Sequence, residues 1–249
     1  MYFSLNELYH LYTEIQIDDP VDGFFCAVDG YEDDDGTITG SSGLLVENPL
    51  DVAQLIYTQM KGAAVTVVAA EKAAVKSERV FGVARQIKDA TKVSEVVTEL
   101  ARDSGFWLWF DGANNARYFS MERKAAPDDI IRESDVLPGT VKVKATKYKD
   151  VVTSFQFRYK WNPVLDEYQE TLSCSASESS EGLGSTYEDL CDDAETKYTG
   201  GETRSEVFDL SWARDRDTAV EMAKLIIRAR AGVQESMSFV ADLSAMVWE

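Results

Sequence analysis

Few residues of this chain have the types and spacing that catalysis requires. The sole histidine is His10, so a nucleophilic triad would have to use His10 itself, and no second histidine exists to supply the base in its place or to complete a zinc-hydrolase site. We expect His10 to be a surface residue. The 44 acidic residues offer many carboxylate pairs for glycoside hydrolysis, but no spacing selects one pair. The sequence therefore predicts no catalytic residue and no enzyme activity.

An acidic turn at 33–36 invites a metal-site interpretation. An EF-hand loop needs oxygen ligands at its first, third and fifth positions, Gly at the sixth and Glu at the twelfth. With Gly36 at the sixth position, Tyr31 occupies the first and Ser42 the twelfth. The pattern fails, so we predict a solvated hairpin tip and no metal site.

The three cysteines, Cys26, Cys174 and Cys191, are widely separated, and none belongs to a CxxC pair. This arrangement argues against a disulfide framework or a zinc site. We expect reduced thiols in a cytoplasmic compartment, with Cys174 in the core. No P-loop is present and no GxGxxG segment follows a predicted strand, so no cofactor is expected.

Two aromatic pairs have the spacing of a binding surface. Trp107 with Trp109, and Tyr159 with Trp161, each lie two residues apart, which places both members of a pair on one face of a strand. Such rings could stack on sugars or bases. Because their neighbours are apolar, we favour the interpretation that they belong to the core.

The charge of the chain excludes one large class of partner. The formal net charge is −19, whereas proteins that hold nucleic acid by its phosphates need a basic surface. We expect no direct binding to nucleic acid and no insertion into membranes, since no apolar stretch approaches the ~20 residues that span a bilayer. Residues 1–60 hold twelve acids and no Lys or Arg, whereas 61–160 carry a net charge of +5. Either this charge only confers solubility, or oppositely charged segments of neighbouring copies face one another.

Four lysines cluster near the start of the second half of the chain: Lys142, Lys144, Lys147 and Lys149. Lys142 and Lys144 lie on one face of a predicted strand, where like charges repel unless acids oppose them. We predict contact with an acidic surface, either the 178–195 segment or a neighbouring copy.

The elements of the first half predict a helix followed by a β-hairpin. Asn48 is a good N-cap before Pro49, and the helix should end at Gly62. A second helix over 93–104 leads into strands at 106–110 and 116–122. Before these, residues 1–46 show only a hairpin, with strands at 21–28 and 37–39. One hairpin cannot bury a core alone, so we expect this segment to pack on the next unit or on missing upstream chain.

The second half is richer in strands. Residues 151–161 alternate between apolar and polar types, and 168–176 alternate again with Leu172 and Cys174 inward. An exposed helix over 186–198, a strand over 203–210, a helix that Asp215 or Asp217 caps, and a strand over 236–243 follow. We predict an α+β chain in four parts: an incomplete N-terminal hairpin segment (1–46), a helix plus β-hairpin unit (47–124), a linker (125–140) and a small antiparallel β-barrel-like unit with one packed helix (141–249).

Four stretches carry a family resemblance. They are 36–40 with 44–52, the helix–hairpin segment 93–112, the strand 150–159, and the helix that opens at 214–219 with the apolar strand after it. In this order they resemble bacteriophage tail proteins of the baseplate-hub or tail-tip hub class. Ser154 departs from the pattern, because the family usually has Asn at this point of the strand.

The resemblance implies a virion structural protein that acts by assembly and carries no catalytic residues. It implies a homotrimeric hub in the virion tail, made in the bacterial host cytoplasm, whose partners are tail-tube, distal-tail or tip proteins. Acidic segments around the axis would let DNA pass without being gripped. Family members usually have more chain before this point, so we expect a C-terminal portion of a longer phage or prophage protein.

Two other functions stay open at this point. An acidic carbohydrate-active or carbohydrate-binding protein would need two carboxylates that converge in a pocket with exposed Trp. A free-standing binding module would behave as a monomer with an intact N-terminal domain.

Overall fold

A computed structural model describes residues 31–61, 65–85, 92–121, 136–162, 165–238 and 240. Its helices and strands are β1 (Glu32–Asp33), β2 (Leu44–Leu45), α1 (Pro49–Lys61), α2 (Ala69–Glu78), α3 (Val93–Asp103), β3 (Phe106–Phe110), β4 (Ala116–Ser120), β5 (Lys142–Ala145), β6 (Ser154–Asn162), β7 (Glu167–Cys174), α4 (Ser185–Ala194), β8 (Ser205–Asp209), α5 (Arg216–Arg230) and β9 (Glu235–Ser238).

The chain divides into two units. The first comprises the described residues up to Arg102 together with Trp107–Phe119, and the second comprises Asp103–Phe106 and the described residues from Ser120 onward. The predicted linker at 125–140 lies mostly outside the described residues. None of the described helices is long and apolar enough to cross a membrane.

α1 begins where local chemistry predicts. The Asn48 side chain accepts a hydrogen bond from the Leu50 amide at 3.1 Å, and Pro49 takes the first helical position. The Asn48 Nδ2 also donates to the carbonyl oxygen of Arg79 at 2.6 Å, which ties the start of α1 to the end of α2. The predicted helix start is confirmed, and the predicted end at Gly62 lies outside the described residues.

The hairpin before α1 differs from the prediction. β1 pairs antiparallel with β2, so the return strand is not at 37–39. The Asp33 carboxylate accepts hydrogen bonds from the amides of Ile38 and Thr39 at 3.0 and 2.7 Å. These bonds hold 37–39 as a turn, because they take the N–H groups that a strand ladder would use. The predicted strand at 21–28 lies outside the described residues.

α2 was not predicted, and it anchors the described end of the N-terminal segment. Lys72 and Val75 are its buried residues. The Lys72 Nζ donates to the carbonyl oxygen of Ile38 at 2.7 Å, and the Lys76 Nζ donates to that of Thr39 at 3.3 Å. Residues 31–46, the described part of the N-terminal segment, therefore pack against α2 within the first unit.

α3 and the hairpin after it follow the prediction. Val96 and Leu100 are buried at helical spacing. α3 ends two residues before Gly105, whose φ of +68° favours glycine. β3 pairs with β4. The turn between them closes where the Asn114 amide donates to the carbonyl oxygen of Asp111 at 2.8 Å. The predicted helix–hairpin sequence is confirmed.

β6 is the centre of the larger sheet in the second unit. β7 lies antiparallel on one side of it and β8 lies parallel on the other. Phe155, Phe157 and Tyr159 are buried, whereas Gln156 and Arg158 face solvent. The predicted alternation is confirmed over 154–159, whereas 151–153 precede the strand and are all buried. A second sheet of two strands joins β5 and β9 antiparallel.

The α+β class is confirmed, but the finer picture of the second unit needs correction. The described strands form small sheets and no closed barrel, and β6 and β8 run parallel. The chain passes through α4 between β7 and β8, and this crossover allows the parallel pairing. α4 buries Tyr187, Cys191 and Ala194. The predicted helix at 186–198 is present as α4 and the π-helical turn after it (Glu195–Thr199). It is not wholly exposed, because one face of α4 is buried, and α4 joins α5 as a second packed helix.

Candidate interaction surfaces

One face of the β3–β4 hairpin presents large aromatic side chains to solvent. The exposed fractions are 60% for Trp107, 46% for Trp109 and 45% for Phe119. Side chains alternate between the faces of a strand, and Ala116 and Tyr118 on the opposite face of β4 are buried. We call Trp107, Trp109 and Phe119 the aromatic face.

The expectation that Trp107 and Trp109 belong to the core is wrong. The second aromatic pair follows the prediction more closely, since Tyr159 is buried and Trp161 is half-buried with its ring centroid 4.8 Å from that of Tyr168. Every residue of β3 is aromatic or aliphatic, so its pattern does not reveal which face meets the core.

An ion cluster lies on the outward side of the same hairpin. Arg117 shares the strand face of Phe119, and its Nε lies 3.0 and 2.9 Å from the two carboxylate oxygens of Glu71. Its Nη1 lies 3.6 Å from Oδ2 of Asp111. The arrangement brings two carboxylates together around Arg117 of the hairpin that carries the exposed Trp109. This is one part of what a carbohydrate-active protein would need, and the other part is a pocket in which the carboxylates converge.

The protonation of these carboxylates does not suit hydrolysis. Hydrogen bonding to Arg117 lowers the pKa of Glu71, and the backbone amide of Asn115 lowers the pKa of Asp111. Glycoside hydrolysis requires one carboxyl group that holds its proton near neutral pH. Glu71 and Asp111 therefore form a pair of ionised carboxylates around an arginine, and this pair has no general acid.

The second unit carries a basic, open cleft of about 770 Å³. Four cations line it, with two carboxylates among them: Lys147, Lys149, Arg204, Arg230, Asp150 and Glu206. Arg230 pairs with Glu206 at 2.7 Å, and Arg204 donates to the carbonyl oxygen of Tyr148. We call this site the basic cleft.

The lysines of the predicted acidic contact are exposed. Lys142 and Lys144 lie on β5, Lys147 directly precedes the short 3-10 turn at 148–150, and Lys149 lies within that turn. Within the described part of the chain, no ion pair joins Lys142, Lys147 or Lys149 to a carboxylate. The predicted contact of these three lysines with the 178–195 segment is therefore not made within the described molecule.

Two thiols meet in the interior of the second unit. The Sγ atoms of Cys174 and Cys191 lie 3.7 Å apart, both residues are buried, and both are free. The predicted core position of Cys174 is confirmed. Its proximity to Cys191 was not predicted, because the two residues are far apart in the sequence. Cys26 and His10 lie outside the described residues. Groups of three or more potential metal-ligating side chains do not occur within the described ranges.

No protein-family model matches the chain, and no curated protein sequence matches it.

Proposed function

We propose that this chain is a structural component of a phage or prophage tail, of the baseplate-hub or tail-tip hub class, and that it acts by protein–protein assembly. The observation that carries the proposal is the aromatic face, because Trp107 and Trp109 stand in solvent on one strand. The order of the four family-like stretches supports the choice of a tail protein.

The physical argument rests on what exposed aromatic residues do. Trp, Tyr and Phe are enriched in the cores of protein interfaces, where truncating one anchor residue often costs about 2 kcal/mol or more. A contiguous exposed apolar surface marks a site that another molecule covers. Arg117 is held beside this surface by Glu71, so a fixed polar group borders the apolar face as in an interface rim.

The proposed partners are other tail subunits: tube, distal-tail or tip proteins. The proposed assembly is a homotrimer in the virion tail, with acidic segments of the −19 chain toward the axis. Carboxylates there would repel DNA phosphates and release no counterions on contact, so DNA would pass without being bound.

The test uses the double variant Trp107→Ala/Trp109→Ala and the proteins encoded by the neighbouring genes. Tyr31→Ala is the matched control, because Tyr31 is a similarly exposed aromatic residue that does not belong to the β3–β4 hairpin. Light scattering of the full-length protein mixed with each candidate partner should show a complex that the double variant loses and the control keeps. Equal binding by the double variant, or a strictly monomeric species in every mixture, would overturn the proposal.

A second candidate function is carbohydrate binding, which the exposure of Trp107 and Trp109 favours over a purely structural role for these rings. Aromatic side chains at this spacing can stack on sugar rings. A titration with soluble oligosaccharides, monitored by tryptophan fluorescence, discriminates the two functions. The oligosaccharides are of bacterial cell-wall and capsule types. Saturable quenching in the wild type that disappears in the double variant, without any protein complex, would favour carbohydrate binding.

A further inference from the structure

The most basic stretch of this acidic chain ends at the basic cleft. Residues 141–149 contain four lysines and no acid. Lys147 and Lys149 line the cleft and are exposed. A positive site of this kind stands out on a chain whose net charge is −19.

The cleft holds these two lysines on an anchored backbone. The Asp150 amide donates to the carbonyl oxygen of Lys147 at 2.8 Å, which closes the turn between them. The ring of Tyr148 packs at 5.6 Å from that of Tyr198, and Val151 is buried directly after the turn. Binding a partner there would cost little ordering of the chain.

The arginines of the cleft already have acidic partners. Arg230 pairs with Glu206 at 2.7 Å and Arg204 with Glu202 at 3.4 Å. Lys147 and Lys149 are different, because no carboxylate pairs with either within the described residues. The two lysines are therefore the cations available to an acidic ligand.

The same chain offers a complementary acidic surface on α4. Asp189 and Asp192 lie three residues apart on this helix, so they share one face. Both are exposed, and no cation pairs with either within the described ranges. Asp193 beside them is paired with Lys197 at 2.7 Å. The opposite face of α4 is buried, so Asp189 and Asp192 are held outward.

We propose that Lys147 and Lys149 bind the Asp189 and Asp192 carboxylates of a second copy of this chain. The net charge of −19 makes two copies repel at long range, but salt screens charges beyond ~8 Å at physiological ionic strength. Only the charges at the contact then decide orientation. This contact uses no residue of the aromatic face, and the proposed function is tested by binding to other tail subunits, so failure of this contact would leave the proposed function standing.

A charge exchange tests this contact. The variants are Lys147→Glu/Lys149→Glu and Asp189→Lys/Asp192→Lys, with Lys92→Glu as the control because Lys92 is an exposed lysine of the first unit. Sedimentation velocity of the full-length protein over a concentration series measures the association constant. Each double variant alone should associate at least about tenfold more weakly than the wild type, since like charges replace opposite ones.

The mixture of the two double variants should recover the association, because opposite charges then face one another again. Wild-type association should also fall when salt is raised to ~0.5 M. A wild type that stays monomeric, an equal loss in the Lys92→Glu control, or a mixture that does not recover would each overturn the proposal. Circular dichroism of each variant verifies that these exposed substitutions leave the fold intact.

Discussion

The Nζ of Lys72 lies 2.6 Å from Oδ1 of Asp51, and both side chains are withdrawn from solvent, with exposed fractions of 9% and 2%. The same Nζ donates to Oε1 of Gln54 at 2.5 Å and to the carbonyl oxygen of Ile38. Burial lowers the pKa of Lys72, while the Asp51 carboxylate opposes this shift. One buried cation thus joins α1, α2 and the turn before α1.

We therefore expect Asp51→Asn to destabilise the first unit by about 3 kcal/mol, because it leaves a buried lysine without its counter-charge. Urea unfolding measures the change in the free energy of unfolding. Lys76→Gln is the matched control, since Lys76 also pairs with Asp51 at 2.6 Å but is about one-third exposed. The control should lose far less stability. A loss in Asp51→Asn no larger than in the control would contradict the assignment.

The second prediction concerns acid. Burial raises the pKa of Asp33, but hydrogen bonds from the Thr39 amide and hydroxyl and from the Ile38 amide outweigh it, so the pKa falls below its ordinary value of 3.8. A carboxyl group with a lowered folded-state pKa stabilises the fold above the unfolded-state pKa. That stability is lost as the pH falls through the folded-state value.

Asp33→Asn should therefore cost about 1–3 kcal/mol at neutral pH. The difference in the free energy of unfolding between variant and wild type should disappear as the pH falls below ~3.9. Urea midpoints of both proteins across this pH range measure this difference. Asp34→Asn is the control, because Asp34 lies exposed in the same turn and only its backbone carbonyl oxygen accepts a hydrogen bond within the described residues. A difference that stays constant down to the lowest pH would show that the Asp33 charge does not hold the turn.

The third prediction decides between two candidate caps of α5. The Asp215 carboxylate accepts a hydrogen bond from the Thr218 amide at 2.8 Å and another from the Thr218 hydroxyl at 2.9 Å. Asp217 lies inside the first turn. Asp215→Ala should cost about 1 kcal/mol, as loss of an N-cap does. Asp217→Ala should cost less. Thermal unfolding measures both losses of stability, and a larger loss in Asp217→Ala than in Asp215→Ala would contradict the assignment of Asp215 as the cap.

The sequence predicts those elements whose determinants are local. Asn48 before Pro49 fixes the start of α1, Asp215 caps α5, and the alternation around Phe157 defines β6. α2 was not predicted, because one of its two buried residues is Lys72. Its sequence therefore shows no continuous apolar stripe at helical spacing.

The rest could not be predicted because it depends on distant partners. The parallel pairing of β6 with β8 joins Phe157 to Phe208 across α4, and no pattern within either strand encodes that choice. The solvent exposure of Trp109 depends on which face of β3 meets the helices. The basic cleft combines Lys147 with Arg204 and Arg230, which lie far along the chain, so only the lysine cluster was visible in the sequence.

The last prediction concerns the Cys174 and Cys191 thiols, whose Sγ atoms lie 3.7 Å apart in the core of the second unit. A two-electron oxidant such as diamide should join them as a disulfide: both thiols lose their protons and one electron each, and diamide is reduced to its hydrazine. Both thiols are buried, so the reaction should be slow in the native protein and faster when mild urea opens α4.

Peptide mapping by mass spectrometry should show the Cys174–Cys191 linkage, and the oxidised protein should gain about 3 kcal/mol in its free energy of unfolding, as expected for a loop of this length. Cys174→Ser is the control, which should show neither change. Linkage of either thiol to Cys26 in the native protein, or a loss of stability on oxidation, would show that the two buried thiols are packed in an arrangement that a disulfide cannot join.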